Sequence, residues 1–226
     1  MLSAPVWYQA GVRAGLAAAV ALALALALVA AGAAKNQPST IYVDKAGGYA
    51  IAIPKTWQLI PRSQSDVKAL IAKLEKKSST VPLADFYSTI LASQAGKSGI
   101  KAYRFQAFDW PGSLTSPVPI QVSVGITAAK RAYTARDLPS IGAVFANAFA
   151  SNKGAKVTVP KTVTLPAGKA ELVEAAIPVG GGVTNGAEVY LIPHGKKLYE
   201  LSFQIEASQL ASATLFTSIA QHFKLL

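Results

Sequence analysis

The stretch "KKLYELSFQIEASQLASATLFTSIAQHFKLL", Lys196 to Leu226, holds the clearest statement of fold in the chain. From Leu198 to Glu206 apolar and polar residues alternate, with Tyr199, Leu201, Phe203 and Ile205 on one side and Glu200, Ser202, Gln204 and Glu206 on the other. That period of two belongs to a strand with one buried face. From Ser208 to Phe223 the period changes: Phe216, Ile219, Ala220 and Phe223 share one side of a helix. A strand running into a helix that buries one stripe predicts a helix packed on a sheet.

Working back toward the N-terminus, strands are expected at Val157–Leu165, Glu171–Ile177 and Ala187–Ile192, joined by "PAGK", "PVGGGVTNG" and "PHGKK". Such short, turn-rich connections favour hairpins and therefore an antiparallel sheet. A helix capped by Asp137 or Ser140 should bury Ile141, Val144, Phe145, Ala148 and Phe149. Pro119–Thr127 and Lys101–Phe108 alternate as two more strands, the latter closed by "DWPG". Pro82 to about Gln94 is a helix candidate ending at Gly96. Ser63, with Asp66 three residues on, starts a helix through Val67, Leu70, Ile71 and Leu74. In "IYVDKAGGYAIAIPKTWQLIP", residues 42–43 and 49–53 form a hairpin around Lys-Ala-Gly-Gly, and Pro54 ends its second strand. Helices layered on an antiparallel sheet make an α+β domain, an α/β/α sandwich.

The segment ahead of this domain is of another kind. Arg13 is the only charged residue before Lys35, and Ala14 to Ala34 carries no charge. As a helix those residues would extend about 31 Å, close to the hydrocarbon thickness of a bilayer. The alternating "ALALALAL" within it is helical sequence, because Ala and Leu are strong helix formers and no polar face is present. Arg13, the core Leu16–Val29 and the small residues Ala31-Gly32-Ala33 meet the requirements of a signal peptide cut after Ala33 or Ala34. Trp7 and Tyr8 instead suit the interface of a retained anchor. Residues 1–34 are thus a signal peptide or signal anchor, 35–40 a linker, and 41–226 a single domain that lies outside the cytoplasm.

Composition narrows function mainly by exclusion. The chain has 226 residues, 22 Lys plus Arg against 11 Asp plus Glu, two His and no Cys. The absence of cysteine rules out disulfides, thiolate metal sites, a Cys nucleophile and a lipidated cysteine. Beyond residue 34 the balance is 21 basic against 11 acidic, or +10. Such an excess favours anionic partners, a membrane surface among them. The basic residues are scattered, so no nucleic acid is expected.

Short motifs yield to structural readings. "AGKS" at Ala95–Ser98 lacks the earlier glycine of a phosphate-binding loop, having Leu91 in its place. "SDVK" at Ser65–Lys68 has the spacing of a serine–lysine enzyme but no companion motif, and helix capping explains it. Gly180-Gly181-Gly182 reads as a hairpin loop. His194 and His222 have no acidic residue or second His at helical spacing, so no metal or cofactor is expected and no catalytic residue is assigned. In "KAYRFQAFDWPG", Lys101 and Arg104 interleave with aromatics, a pattern that can bind ligands. Tyr103 and Phe105 are expected in the core and Trp110 at the surface, which leaves Trp110, Arg104 and Lys101 as candidate ligand or partner contacts.

The opening "GGYAIAIPKTWQLI", with its Pro-x-x-Trp, resembles the start of the PsbP-like domain, and the Lys196–Leu226 ending is similar to that family's closing strand and helix. The same group holds the Ran-binding factor Mog and the LpqN-type envelope lipoproteins of actinobacteria. The resemblance spans roughly Ile41 to Leu226 and implies an accessory or binding protein with no catalytic motif to carry over. Ala33 and Ala34 stand where the lipoproteins have a lipid-bearing Cys, so that anchor is absent. The expected function is an exported envelope protein that binds a protein, lipid or glycan. An envelope serine hydrolase and a membrane-anchored structural domain are the alternatives.

Overall fold

The computed structural model describes residues 39–75, 103–109, 116–210 and 214–226. The leader, the helix expected at Pro82–Gln94, Lys101 and Trp110 lie outside the described residues. No helix among the described residues is long and apolar enough to cross a membrane.

The elements run β1 (Ser39–Asp44), β2 (Tyr49–Pro54), β3 (Trp57–Leu59), α1 (Gln64–Glu75), β4 (Tyr103–Asp109), β5 (Gln121–Ala128), a 3-10 turn (Ala135–Asp137) and α2 (Leu138–Ala150). They continue through β6 (Lys156–Val157), β7 (Lys161–Leu165), β8 (Gly168–Gly180), β9 (Val183–His194), β10 (Lys197–Glu206), α3 (Ala207–Leu210), α4 (Thr214–Gln221) and β11 (Lys224–Leu225). The larger sheet has eight strands in the order β3-β4-β5-β10-β9-β8-β6, with β7 also paired to β8. Every pairing in it is antiparallel. A second, three-stranded sheet has the order β1-β2-β11.

Both faces of the large sheet are covered. One carries the main core, in which Tyr199, Leu201, Phe203 and Ile205 of β10 meet Tyr49, Ile51 and Ile53 of β2 and Phe216, Ile219, Ala220 and Phe223 from α4 and the turn after it. Phe216 stacks on Phe203 with ring centroids 4.7 Å apart. The opposite face carries α2, whose Phe149 lies on Val173, Ala175, Ile177, Val189 and Leu191. The fold is therefore α+β around a large antiparallel sheet, and one of its two covering layers combines a helix with the small sheet. Burial on both faces explains why β9 is buried almost throughout its length.

The local expectations held at the first hairpin and at α1, where Ser63 Oγ accepts the Asp66 N–H at 3.1 Å. Four details differ. The single strand expected at Val157–Leu165 is two, β6 and β7. Between them Pro160, with no N–H to donate to a ladder, interrupts pairing, and Val159 is 87% exposed. Of the stripe expected on α2, Phe149 is buried and Ile141 and Phe145 pack against the same cluster, but Val144 is exposed, and Leu138 and Gly142 join the buried line. Gly142 brings that helix close to the sheet: a Cβ there would lie 2.5 Å from Glu171 Cγ and 2.9 Å from Pro160 Cβ. The terminal helix ends at Gln221, and Lys224–Leu225 leaves it to pair with β2 as a strand. The short strand β3 was not anticipated; it sets Trp57 of the Pro-x-x-Trp opening into the core.

Candidate functional site

Of the three residues singled out in the sequence, Arg104 alone is described, and it is engaged within the fold. β4 presents it to the β1–β2 hairpin, where Nε donates to Asp44 Oδ2 at 2.7 Å and Nη2 to Asp44 Oδ1 at 3.0 Å. Asp44 Oδ1 also accepts the Gly47 N–H at 2.7 Å, and the Gly47 carbonyl accepts Tyr199 Oη at 3.0 Å and Lys197 Nζ at 3.1 Å. These bonds fasten the small sheet to β4 and β10. The Arg104 guanidinium holds the Asp44 carboxyl below its ordinary pKa, with the Gly47 N–H adding to the effect against the cost of burial. Beside them Tyr42 leans on Phe105, centroids 4.8 Å apart.

A second polar group lies on the main-core face near the other end of β8 and β9. Glu174 and Glu188 are directly opposed in the ladder, an arrangement of like charges that costs stability. Two neighbours relieve it. Lys161 Nζ lies 3.4 Å from Glu174 Oε2, and Tyr190 Oη donates to Glu188 Oε1 at 2.5 Å. Burial raises the Glu188 pKa; the Tyr190 hydrogen bond opposes the rise and the Glu174 charge adds to it. Tyr190 is in turn pushed up by burial and by Glu188.

One rung further, the same face opens into a groove of about 430 Å³, lined by Gly154, Lys156, Ala176, Pro178, Gly182, Thr184, Glu206, Ala207 and Ser208. Its wall is α3, which folds back over the sheet because residue 186 is glycine. A Cβ there would come within 2.9 Å of Ala207 Cα, a backbone atom that cannot turn aside. The turn of the β8–β9 hairpin at its end requires Gly180, Gly181 and Gly182, with φ of 98°, 58° and 78°. The floor is made of small side chains, and Lys156 and Glu206 set opposite charges on its rim. Neither histidine lines the groove. His222 Nδ1 instead lies 2.7 Å from the Ser218 carbonyl, one turn back, and Ser65 Oγ lies 3.1 Å from Ser63 Oγ at the start of α1.

The sequence reading did not find this groove. Its floor is Ala, Gly, Pro and Thr, which carry no chemical signature, and the return of α3 over β9 is a long-range contact. The one legible sign was the triple glycine that ends the β8–β9 hairpin.

No family profile and no curated protein matches the chain. Among solved structures, the chain is similar to cyanobacterial PsbP of Synechocystis, with a TM-score of 0.51 over 88% of this chain and 99% of that one, at 14% identity. The chain has a PsbP-like fold. LpqN of Mycobacterium tuberculosis, described as involved in cell envelope biogenesis, is also similar, with a TM-score of 0.43, 10% identity and coverage of 84% and 87%. A Bacteroides thetaiotaomicron protein aligns with a TM-score of 0.47 and 8% identity over 82% of this chain. The chain spans about half of that protein, 48% of its length. The PsbP-like fold agrees with the resemblance carried by the "GGYAIAIPKTWQLI" opening and the closing strand and helix.

Proposed function

We propose that this PsbP-like protein is an exported accessory protein of the cell envelope that acts by binding, and that its binding site is the groove between α3 and the β8–β9 hairpin. The groove carries this reading. Its volume falls in the range of ligand sites, and its small-residue floor between opposite charges suits a short polar segment of a partner protein. The leader, with its small residues before Lys35, supports export.

A photo-crosslinking residue placed at Thr184 in the producing cell tests the site. It should capture one defined envelope partner that the same residue at Val144, exposed on α2 on the opposite face of the sheet, does not capture. Equal capture at both positions, or none, would refute the groove as the site. An activity-based serine probe tests the hydrolase alternative: specific labelling of one serine would replace binding with catalysis.

A further inference from the structure

The small sheet has an outer face of its own. Its inward residues are set by the core: Tyr49, Ile51 and Ile53 of β2 are at most 3% exposed, and Tyr42 and Leu225 pack against the same cluster. Side chains alternate across a strand, so Ile41 and Val43 of β1, Ala50 and Ala52 of β2, and Lys224 of β11 point the other way. The register places Ile41 opposite Ala52, and Val43 and Lys224 on either side of Ala50. Ile41 is 68% exposed and Val43 49%, and Leu226, whose N–H donates to the Gly48 carbonyl at the sheet's end, is 66% exposed. An exposed aliphatic patch of this kind on a small sheet needs an explanation.

Charge indicates what covers it. Across residues 39–55 and 224–226 the acidic side chain is Asp44, and it faces inward to Arg104. The basic side chains Lys45, in the hairpin turn, Lys55, just past β2, and Lys224 are all exposed. With a +11 chain, a second copy would be repelled from this face and an anionic surface attracted to it. In the retained-anchor reading of the leader, the covalent path points to the same surface. Ser39, the first residue of β1, follows Ala34, the end of the uncharged apolar run, by five residues, a span of at most about 18 Å even when fully extended. We infer that the outer face of the β1-β2-β11 sheet docks on an anionic lipid bilayer, with Ile41, Val43 and Leu226 in the headgroup layer and the lysines around them meeting lipid phosphates. Aliphatic side chains ringed by lysine are the chemistry of peripheral membrane contact. This surface is separate from the groove, and either assignment can fail without the other.

The chain has no cysteine, so a single introduced one reports on a single place. The full chain carrying Val43→Cys or Val159→Cys, labelled with an environment-sensitive fluorophore, is reconstituted in phosphatidylcholine vesicles with and without phosphatidylglycerol. Both variants carry the same apolar run, so any tethering by it is equal in the two. At position 43 the label should shift to the blue and become shielded from aqueous iodide in the anionic vesicles, and at position 159 it should remain in water. Raising salt from about 0.1 M to about 1 M, which shortens the screening length from about 10 to 3 Å, should reverse the shift. Ile41→Asp should abolish it, with circular dichroism confirming an intact fold. A label at 43 that stays open to iodide overturns the inference. A shift that occurs without vesicles and grows with protein concentration also overturns it, and identifies a second copy as the occupant.

Discussion

Two carboxylates in this protein respond to pH in opposite directions, for reasons visible in their neighbours. Asp44 is held ionised by Arg104, so its folded pKa lies below the value of about 3.9 for a free Asp. The stability it contributes is present above that pH and is lost as pH falls through the folded value. Asp44→Asn should lower stability by about 1.5–3 kcal/mol at pH 7, the worth of hydrogen bonds to a charged group. Urea unfolding should show the gap from the parent shrinking as pH falls below about 4. Glu188 is the reverse case, its pKa raised chiefly by burial. A neutral carboxyl is favoured there, so the stability it contributes is present below about pH 4.3 and lost as pH rises through the folded value. Glu188→Gln keeps an acceptor for Tyr190 and removes the charge. It should raise the melting temperature at pH 8 and leave it unchanged at pH 4, by scanning calorimetry. Both carboxylates were visible in the sequence, but their environments were not: Arg104 stands 60 residues from Asp44.

Among the elements, α2 shows how an apolar stripe can be anticipated while a close contact beside it is missed. Ile141, Phe145 and Phe149 pack on the core as their spacing predicts, but Val144 is exposed, and Gly142 makes a close approach to Glu171 and Pro160. A methyl at Gly142 would gain about 1 kcal/mol of helix propensity but meet Glu171 and Pro160, and overpacking costs about 1–3 kcal/mol. Gly142→Ala should therefore lower the melting temperature. Val144→Ala, on an exposed position, should change stability by no more than about 0.5 kcal/mol. In α4 the predicted stripe and the buried one coincide. Phe216 is 1% exposed and stacked on Phe203; Phe216→Ala should cost about 3–5 kcal/mol, measured by chemical denaturation. The two helices differ because aliphatic periodicity reports which side of a helix is apolar, while a glycine contact is made by the absence of a side chain.

At the scale of the whole molecule, the chain closes on itself, since β11 near its last residue pairs with β2 near the start of the described fold. Sequencing the N-terminus of the mature protein separates the two readings of the leader: a start at Ala34 or Lys35 means a cleaved signal peptide, and an intact Met1 means a retained span. The class of the fold is legible in local pattern: alternation in β4, β5 and β10, three-four spacing in α1 and α4, and turn residues between strands. So is the absence of cysteine from these 226 residues. Those features are local, and a period or a turn is readable within about ten residues. Long-range contacts alone join residues 39–54 and 224–225 in one small sheet, pair Arg104 with Asp44, set α3 as the wall of a groove over Gly186, and bring Ile41, Val43 and Lys224 to one outer face. Alternation states that a side chain has a buried or an exposed side; which distant residues share that side depends on register and on the path of the chain between them.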